Sequence, residues 1–221
     1  MKISFYIVGL FLLLFLNSCE DKETEGISRI TEYADIQLTG GDVYTLTVGS
    51  DYVEPGFVAI EGESDITDDV TVSGSVDAST AGAYTLVYAA KNQDGFEKKV
   101  ERLVLVVPEG LSDIDLSGTY TGSVALGDFA SVCKINKLAD GVFYATDFFG
   151  GRYAVGFGYG AAYSLSTYFV LKADNSVEAL STNSPWGPWA VLDGVYDVDS
   201  FTLSHVVDQD GFGFAVSLIK E

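Results

Sequence analysis

The chain has 221 residues, with 32 acidic against 12 basic side chains, a formal net charge of −20 and a pI near 4.1. Such a chain repels phosphate backbones, which argues against nucleic acid as a partner, and it stands off anionic lipid head groups. Two cysteines in all leave no room for the framework of a disulfide-rich secreted domain.

At the start, Lys2 precedes an apolar run from Phe5 to Leu16 that is broken only by Gly9, and the run closes on Leu16-Asn17-Ser18-Cys19. A charged start, an apolar core and a small residue before the cut predict a secretory signal peptide over residues 1–18. The run is too short for a bilayer-spanning helix, which needs roughly 20 residues. The Cys placed after the small residue resembles the lipobox of bacterial lipoproteins. That resemblance implies cleavage between Ser18 and Cys19, lipid on Cys19, and attachment to a membrane through that lipid. The tract Glu20-Asp21-Lys22-Glu23-Thr24-Glu25 resembles the signal that sends lipoproteins of some Gram-negative gut bacteria to the outer face of the outer membrane. Residues 19–34 read equally as a solvated acidic tether. With Cys19 lipidated, Cys133 has no partner within the chain and reads as a small buried hydrophobe.

Beyond residue 30 no stretch sustains a helical apolar period. Short β-branched and aromatic runs broken by Gly, Asp and Asn predict an all-β chain. In Tyr84-Thr85-Leu86-Val87-Tyr88 the residues Tyr84, Leu86 and Tyr88 share one face. Leu103-Val104-Leu105-Val106-Val107 is apolar on both faces, as suits a strand inside a sandwich or against a neighbour. Pro108-Glu109-Gly110 then interrupts the pattern, and the sequence predicts a linker at 108–114 between a first domain at 35–107 and a second at 115–221. The first has the size of an immunoglobulin-like β-sandwich. Val48-Gly49, Tyr52, Pro55-Gly56, Asp65-Ile66-Thr67, Val70, Gly74, Val76-Asp77, Gly82 and Tyr84 follow in order. This course resembles the bacterial Ig-like repeats of surface adhesins and secreted polysaccharide-acting proteins, and implies a spacer or protein-interaction module without chemistry. Asp65, Asp68, Asp69 and Asp77 lack the spacing of a calcium loop and read as solvated loop acids.

The second half offers eight or so short strands, with Asp140-Gly141, Asp174-Asn175 and Asp210-Gly211 as hairpin turns. Successive hairpins predict an antiparallel meander closed as a small barrel or folded as a sandwich. Ser117-Gly118-Thr119-Tyr120, Asp147 to Tyr153 and Gly158-Tyr159-Gly160 resemble the C-terminal β domains that accompany Ig-like modules in lipoproteins of gut bacteria.

Candidate chemistry is sparse. His205 is the sole histidine and lies on the strand face of Phe201 and Leu203. No nucleophile elbow accompanies it, and no set of zinc ligands is available. Asp147, ahead of Phe148-Phe149, is the nearest approach to a carboxylate in an apolar setting, as a glycosidase would need. No cofactor or metal is expected, and the chain reads as non-catalytic. The run from Phe148 to Tyr163 interleaves aromatics with glycines, and Ser184-Pro185-Trp186-Gly187-Pro188-Trp189 holds both tryptophans. Aromatic faces stack on sugar rings, so Phe149, Tyr153, Tyr159, Tyr163, Trp186 and Trp189 are candidate glycan-binding residues. The same rings could instead cap a barrel end, with glycines letting the chain bend beneath them. The layout of anchor, spacer and distal β domain resembles accessory glycan-binding lipoproteins of polysaccharide-utilisation systems. An adhesin that binds a surface protein is the alternative, and a glycan-acting enzyme stands behind both.

Overall fold

A computed structural model describes residues 30–221. The signal peptide at 1–18, the lipidation at Cys19 and most of the acidic tether lie outside the described residues.

The first half is a two-sheet sandwich. One sheet runs β1 (Ala34–Leu38), β3 (Phe57–Glu61), β4 (Ser64–Asp65), and the other runs β2 (Val43–Thr47), β7 (Glu97–Val107), β6 (Gly82–Lys91), β5 (Thr71–Ser73). Period-2 alternation places Leu86 and Tyr88 of β6 and Val104 and Val106 of β7 in the shared core, opposite Ile36 and Ala59 of the facing sheet. Tyr84 packs on the edge of that core. Asp65 and Asp77 close turns by accepting the backbone N–H groups of Thr67 and Ser79.

A charged pair lies inside this sandwich. Arg102 is fully buried on the core face of β7. Its Nη1 meets Glu54 Oε1 at 2.7 Å, and its Nη2 donates to the carbonyls of Thr39 and Gly56 at 2.8 and 3.0 Å. Glu54 also accepts the hydroxyls of Tyr52 and Tyr88 at 2.6 and 2.7 Å. Burial raises the Glu54 carboxyl, but these donors and the guanidinium outweigh it and hold the group below its ordinary range. The Tyr52, Glu54 and Gly56 of the Ig-like motif are therefore the strap that holds Arg102.

The second half is a closed eight-stranded antiparallel barrel: β8 (Gly118–Val124), β9 (Gly127–Ala139), β10 (Val142–Ala145), β11 (Ser166–Leu171), β12 (Ser176–Asn183), β13 (Ala190–Asp197), β14 (Thr202–Gln209) and β15 (Phe212–Lys220), with β15 pairing back onto β8. Closure leaves no sheet edge to protect. Of barrel and sandwich, the barrel is what forms. At the β14–β15 hairpin, Asp210 and Gly211 both take positive φ, 55° and 85°, as a two-residue turn between twisted strands requires. Tyr120, Cys133, Ile135, Phe143, Phe169, Leu171, Leu203, Val207, Val216 and Leu218 fill the interior.

The two halves share a third core. Leu105 and Val107, on the outer face of β7, pack with Val142 and Val170 of the barrel, flanked by Leu138, Tyr168 and Leu180. This is why Leu103–Val107 is apolar on both faces. The connecting segment is bonded to the barrel: Ser112 N–H donates to Leu171 O at 2.9 Å and Ala173 N–H to Gly110 O at 2.8 Å.

Strand direction then sorts the loops. The linker and the turns at 140–141, 172–175 and 198–201 lie at one end of the barrel. The hairpin at 125–126, the long segment 146–165, the loop 184–189 and the hairpin at 210–211 lie at the other. All the candidate glycan-binding residues fall on two elements of that second end, segment 146–165 and loop 184–189.

Candidate functional site

Segment 146–165 covers the barrel end, and Asp147 closes it. The Asp147 carboxylate accepts the backbone N–H groups of Phe149 (2.9 Å), Gly151 (3.0 Å) and, across the whole loop, Leu165 (3.1 Å). Burial raises this carboxyl above its ordinary value against the pull of those donors. Both oxygens are thus spent on loop closure. Asp147, the nearest sequence candidate for a catalytic carboxylate, is a loop clasp.

The next two residues turn inward. Phe148 is fully buried and stacks on His205 at 4.5 Å and against Phe169 at 5.0 Å. His205 Nε2 lies 2.8 Å from Phe148 O, so the neutral ring donates there. Burial pushes the His205 pKa down to about 4, which keeps it uncharged. It shares its face with buried Leu203 as expected. Phe201 departs from that face: it precedes β14 in a turn at φ 52° and is exposed. Gly122 and Gly150 set the closeness of loop and wall, because a Cβ on Gly122 would lie 2.3 Å from Gly150 O. Cys133 is a free thiol inside the barrel, pushed up to about 12 by burial, and is inert.

Beyond Gly151 a π-helical turn (Arg152–Gly156) and a 3-10 turn (Ala161–Tyr163) carry the chain over the surface. Here the aromatic candidates separate. Tyr159 is 53% exposed, Phe157 47% and Trp186 41%, with Tyr153 and Tyr163 half-buried between them. Tyr163 lies 5.3 Å from Tyr159 and 5.2 Å from Trp186, centroid to centroid, and Tyr153 lies 4.7 Å from Trp186. Tyr159, Tyr163 and Trp186 line a shallow depression. Next to it runs a groove lined by Tyr144, Thr146, Ser164, Ser166, Asn183 and Ser184. The two are continuous through Tyr163-Ser164 and Ser184-Pro185-Trp186.

The loop bearing Trp186 is fixed from both sides. Ser184 Oγ accepts Trp186 N–H at 3.2 Å and donates to Gly187 O at 2.8 Å. Gln209 Nε2 donates to the carbonyls of Trp186 and Pro188, both at 3.0 Å. Gly187 sits at φ 90°, where a side chain would be strained.

Two candidates are corrected. Phe149 is fully buried and Trp189 is 6% exposed, and they meet edge to face at 4.9 Å. Neither has a face free for a ligand, so Trp186 and Trp189 do not form a paired platform. The alternation of Pro and Gly around them turns one indole outward and the other into the core, with Thr182 Oγ1 tied to both the N–H and the carbonyl of Trp189. Phe157, stacked between Tyr153 and Tyr159, joins the exposed set. Its place in the Gly-aromatic run was its signal. Nothing in the sequence marked Ser184 and Gln209 as the supports of Trp186.

Residues 36–106 match the family model of the Ig-like domain of bacterial surface proteins, and residues 111–220 match a C-terminal domain model. The crystal structure of the lipoprotein BT2262 from Bacteroides thetaiotaomicron is 32% identical, covering 86% of this chain and 100% of that one at a TM-score of 0.45. The CBM51-2 and INT domains of Clostridium perfringens ZmpB, solved in complex with GlcNAc, are 14% identical over 84% of this chain and 43% of that one, at a TM-score of 0.32. No curated protein matches the chain. These matches indicate no catalytic family.

Proposed function

We propose that this chain, which belongs to the family of the Bacteroides thetaiotaomicron lipoprotein BT2262, is a non-catalytic surface lipoprotein that binds a glycan at the far end of its barrel. One observation carries the reading: exposed Tyr159 and Trp186, with Tyr163 between them, adjoin a groove of hydroxyl and amide side chains. A sugar ring has an apolar face and a polar rim. Aromatic rings take the first and neutral hydrogen-bonding groups take the second. Both segments are held by backbone hydrogen bonds before any ligand arrives, so little conformational freedom is lost on binding.

The anchor fits the same reading. Lipid on Cys19 would hold the chain to the outer membrane, the acidic tract would direct it to the outer face, and the Ig-like module would serve as spacer. The aromatic end lies across the barrel from the linker and would therefore be presented outward.

The test is binding of the chain from Glu20 onward to a broad panel of polysaccharides by affinity electrophoresis and calorimetry. Wild type should bind at least one, and Trp186→Ala should lose it with the fold intact. No binding across the panel removes the glycan reading. The second reading, docking of a surface protein, is favoured by the apolar rim of Leu126, Val155, Phe157 and Phe212, each about half exposed at the same end.

A further inference from the structure

We infer that Arg152 forms an anion-recognising subsite beside the aromatic platform, so that the glycan bound there carries a carboxylate or sulfate group. This rests on the glycan reading above and specifies its substrate class. The barrel half contains Lys134, Lys137, Arg152, Lys172 and Lys220. Lys137 pairs with Asp140, Lys172 pairs with Glu178, and Lys220 donates to Asp115 O, all toward the linker end. Lys134 is exposed on β9, where its backbone N–H donates to Thr146 Oγ1 at 2.8 Å and its carbonyl accepts Thr146 N–H at 3.0 Å, at the root of segment 146–165. Among the described cations of the barrel half, Arg152 is the one packed against the rings of the aromatic end.

Its surroundings are unusual for a chain of net charge −20. Among the described residues Arg152 makes no ion pair and no side-chain hydrogen bond. Its guanidinium carbon lies 4.5 Å over the Phe214 ring, 5.5 Å from Phe157 and 5.9 Å from Tyr153. Its Nε is buried without a partner. A buried donor left unmade is costly and calls for an acceptor. The rings hold the guanidinium by its face, which leaves the N–H edge for an incoming group. That edge matches the two oxygens of a carboxylate or sulfate. Tyr153 is the spacer: it touches the Arg152 cation on one side and the Trp186 ring, at 4.7 Å, on the other. A sugar stacked at Trp186 would thus place an acidic neighbour of the same polymer against Arg152. General attraction plays no part, since the protein as a whole repels polyanions. The contact has to be local and directed.

The experiment uses the chain from Glu20 onward with polygalacturonate and chondroitin sulfate, each beside a neutral counterpart: methyl-esterified polygalacturonate and desulfated, carboxyl-reduced chondroitin. Wild type should prefer at least one acidic polymer over its neutral form by roughly 10- to 100-fold, the worth of a charge-assisted bidentate pair. Arg152→Gln should erase that preference, and Arg152→Lys should restore part of it. Should Arg152→Gln fail to fold, Arg152→Met, which removes the charge and keeps the bulk against the rings, replaces it in the same comparison and should likewise erase the preference. Equal binding of acidic and neutral forms, or a preference that survives Arg152→Gln, overturns the anion subsite and leaves the glycan reading standing. Absence of binding to all four polymers overturns the subsite as posed, and the broad panel then decides the glycan reading by itself.

Discussion

Replacing each tryptophan by alanine separates packing from binding. The Trp189 ring meets Phe149 at 4.9 Å, Phe212 and Phe214 at 6.1 Å and Tyr153 at 6.4 Å, and it is 6% exposed. Truncating a buried tryptophan costs about 3–5 kcal/mol, through lost burial and the cavity left behind. The cavity cannot collapse readily here, because Thr182 holds the Trp189 backbone at 2.7 and 2.9 Å whatever the side chain is. The indole Nε1 has no hydrogen-bond partner, so no bond is lost with it. About 3–4 kcal/mol follows, which for a unit of this size lowers the melting temperature by roughly 10 °C. Trp186 is 41% exposed and packs on one side, so Trp186→Ala should cost only about 1 kcal/mol. Thermal melts followed by near-UV circular dichroism, run alongside glycan binding, read both quantities. Trp186→Ala should lose binding and keep its melt, and Trp189→Ala should lose its melt. A Trp189→Ala protein of native stability that no longer binds would refute the assignment of one indole to the core and the other to the surface.

Three further outcomes follow from the buried polar groups and the tight contacts. His205 is buried with its pKa lowered to about 4, so the unfolded chain binds one more proton between that value and 6.5. Stability from this group is complete above pH 6.5 and is lost as pH falls toward 4, by about 3 kcal/mol; denaturant titrations should show the slope, and His205→Phe should flatten it. In the Ig-like module, Glu54→Ala strands the buried Arg102 charge and should destabilise by about 3–5 kcal/mol, whereas Arg102→Met, which removes the charge and keeps the bulk, should cost less. Equal losses in chemical denaturation would mean that Arg102 is not desolvated as described. Gly122→Ala drives a methyl group into Gly150 O and should speed amide exchange across 147–165 while the remaining strands stay protected.

Much of this architecture was legible in the sequence because it depends on short-range rules. Alternation located the eight barrel strands, and Asp-Gly and Asp-Asn pairs located three of their turns, at 140–141, 174–175 and 210–211. The double-sided apolar run at Leu103–Val107 reported a second neighbour for β7, which the barrel supplies. What alternation cannot give is which aromatics of a glycine-rich loop point outward. Phe148 and Phe149 turn inward because Asp147 gathers three backbone N–H groups from as far as Leu165, a contact with no local signature. Arg102 was equally hidden. It stands at a core-facing position of its strand, and its partner Glu54 lies far away in sequence, inside a motif whose turn chemistry was plain and whose ion pair was not.

The same contacts explain how a glycine-rich loop can serve as a binding surface. Glycine makes a chain permissive, and a permissive loop would lose much of its binding energy to ordering. Here the glycines work differently, since Gly150 and Gly151 fit where a side chain would strike Val216 or Val132. They bring the loop down onto the barrel wall, where Asp147 ties its base. The second segment, with Trp186, is tied to β14 through Gln209. Tyr159, Tyr163 and Trp186 thus come from two independently anchored segments that meet ring to ring. Loosening either anchor should separate the rings without unfolding the barrel. Gln209→Ala, which frees the carbonyls of Trp186 and Pro188, should therefore weaken glycan binding severalfold while leaving the melt within a few degrees of wild type. Unchanged affinity in that variant would show that ligand binding does not depend on the fixed position of Trp186.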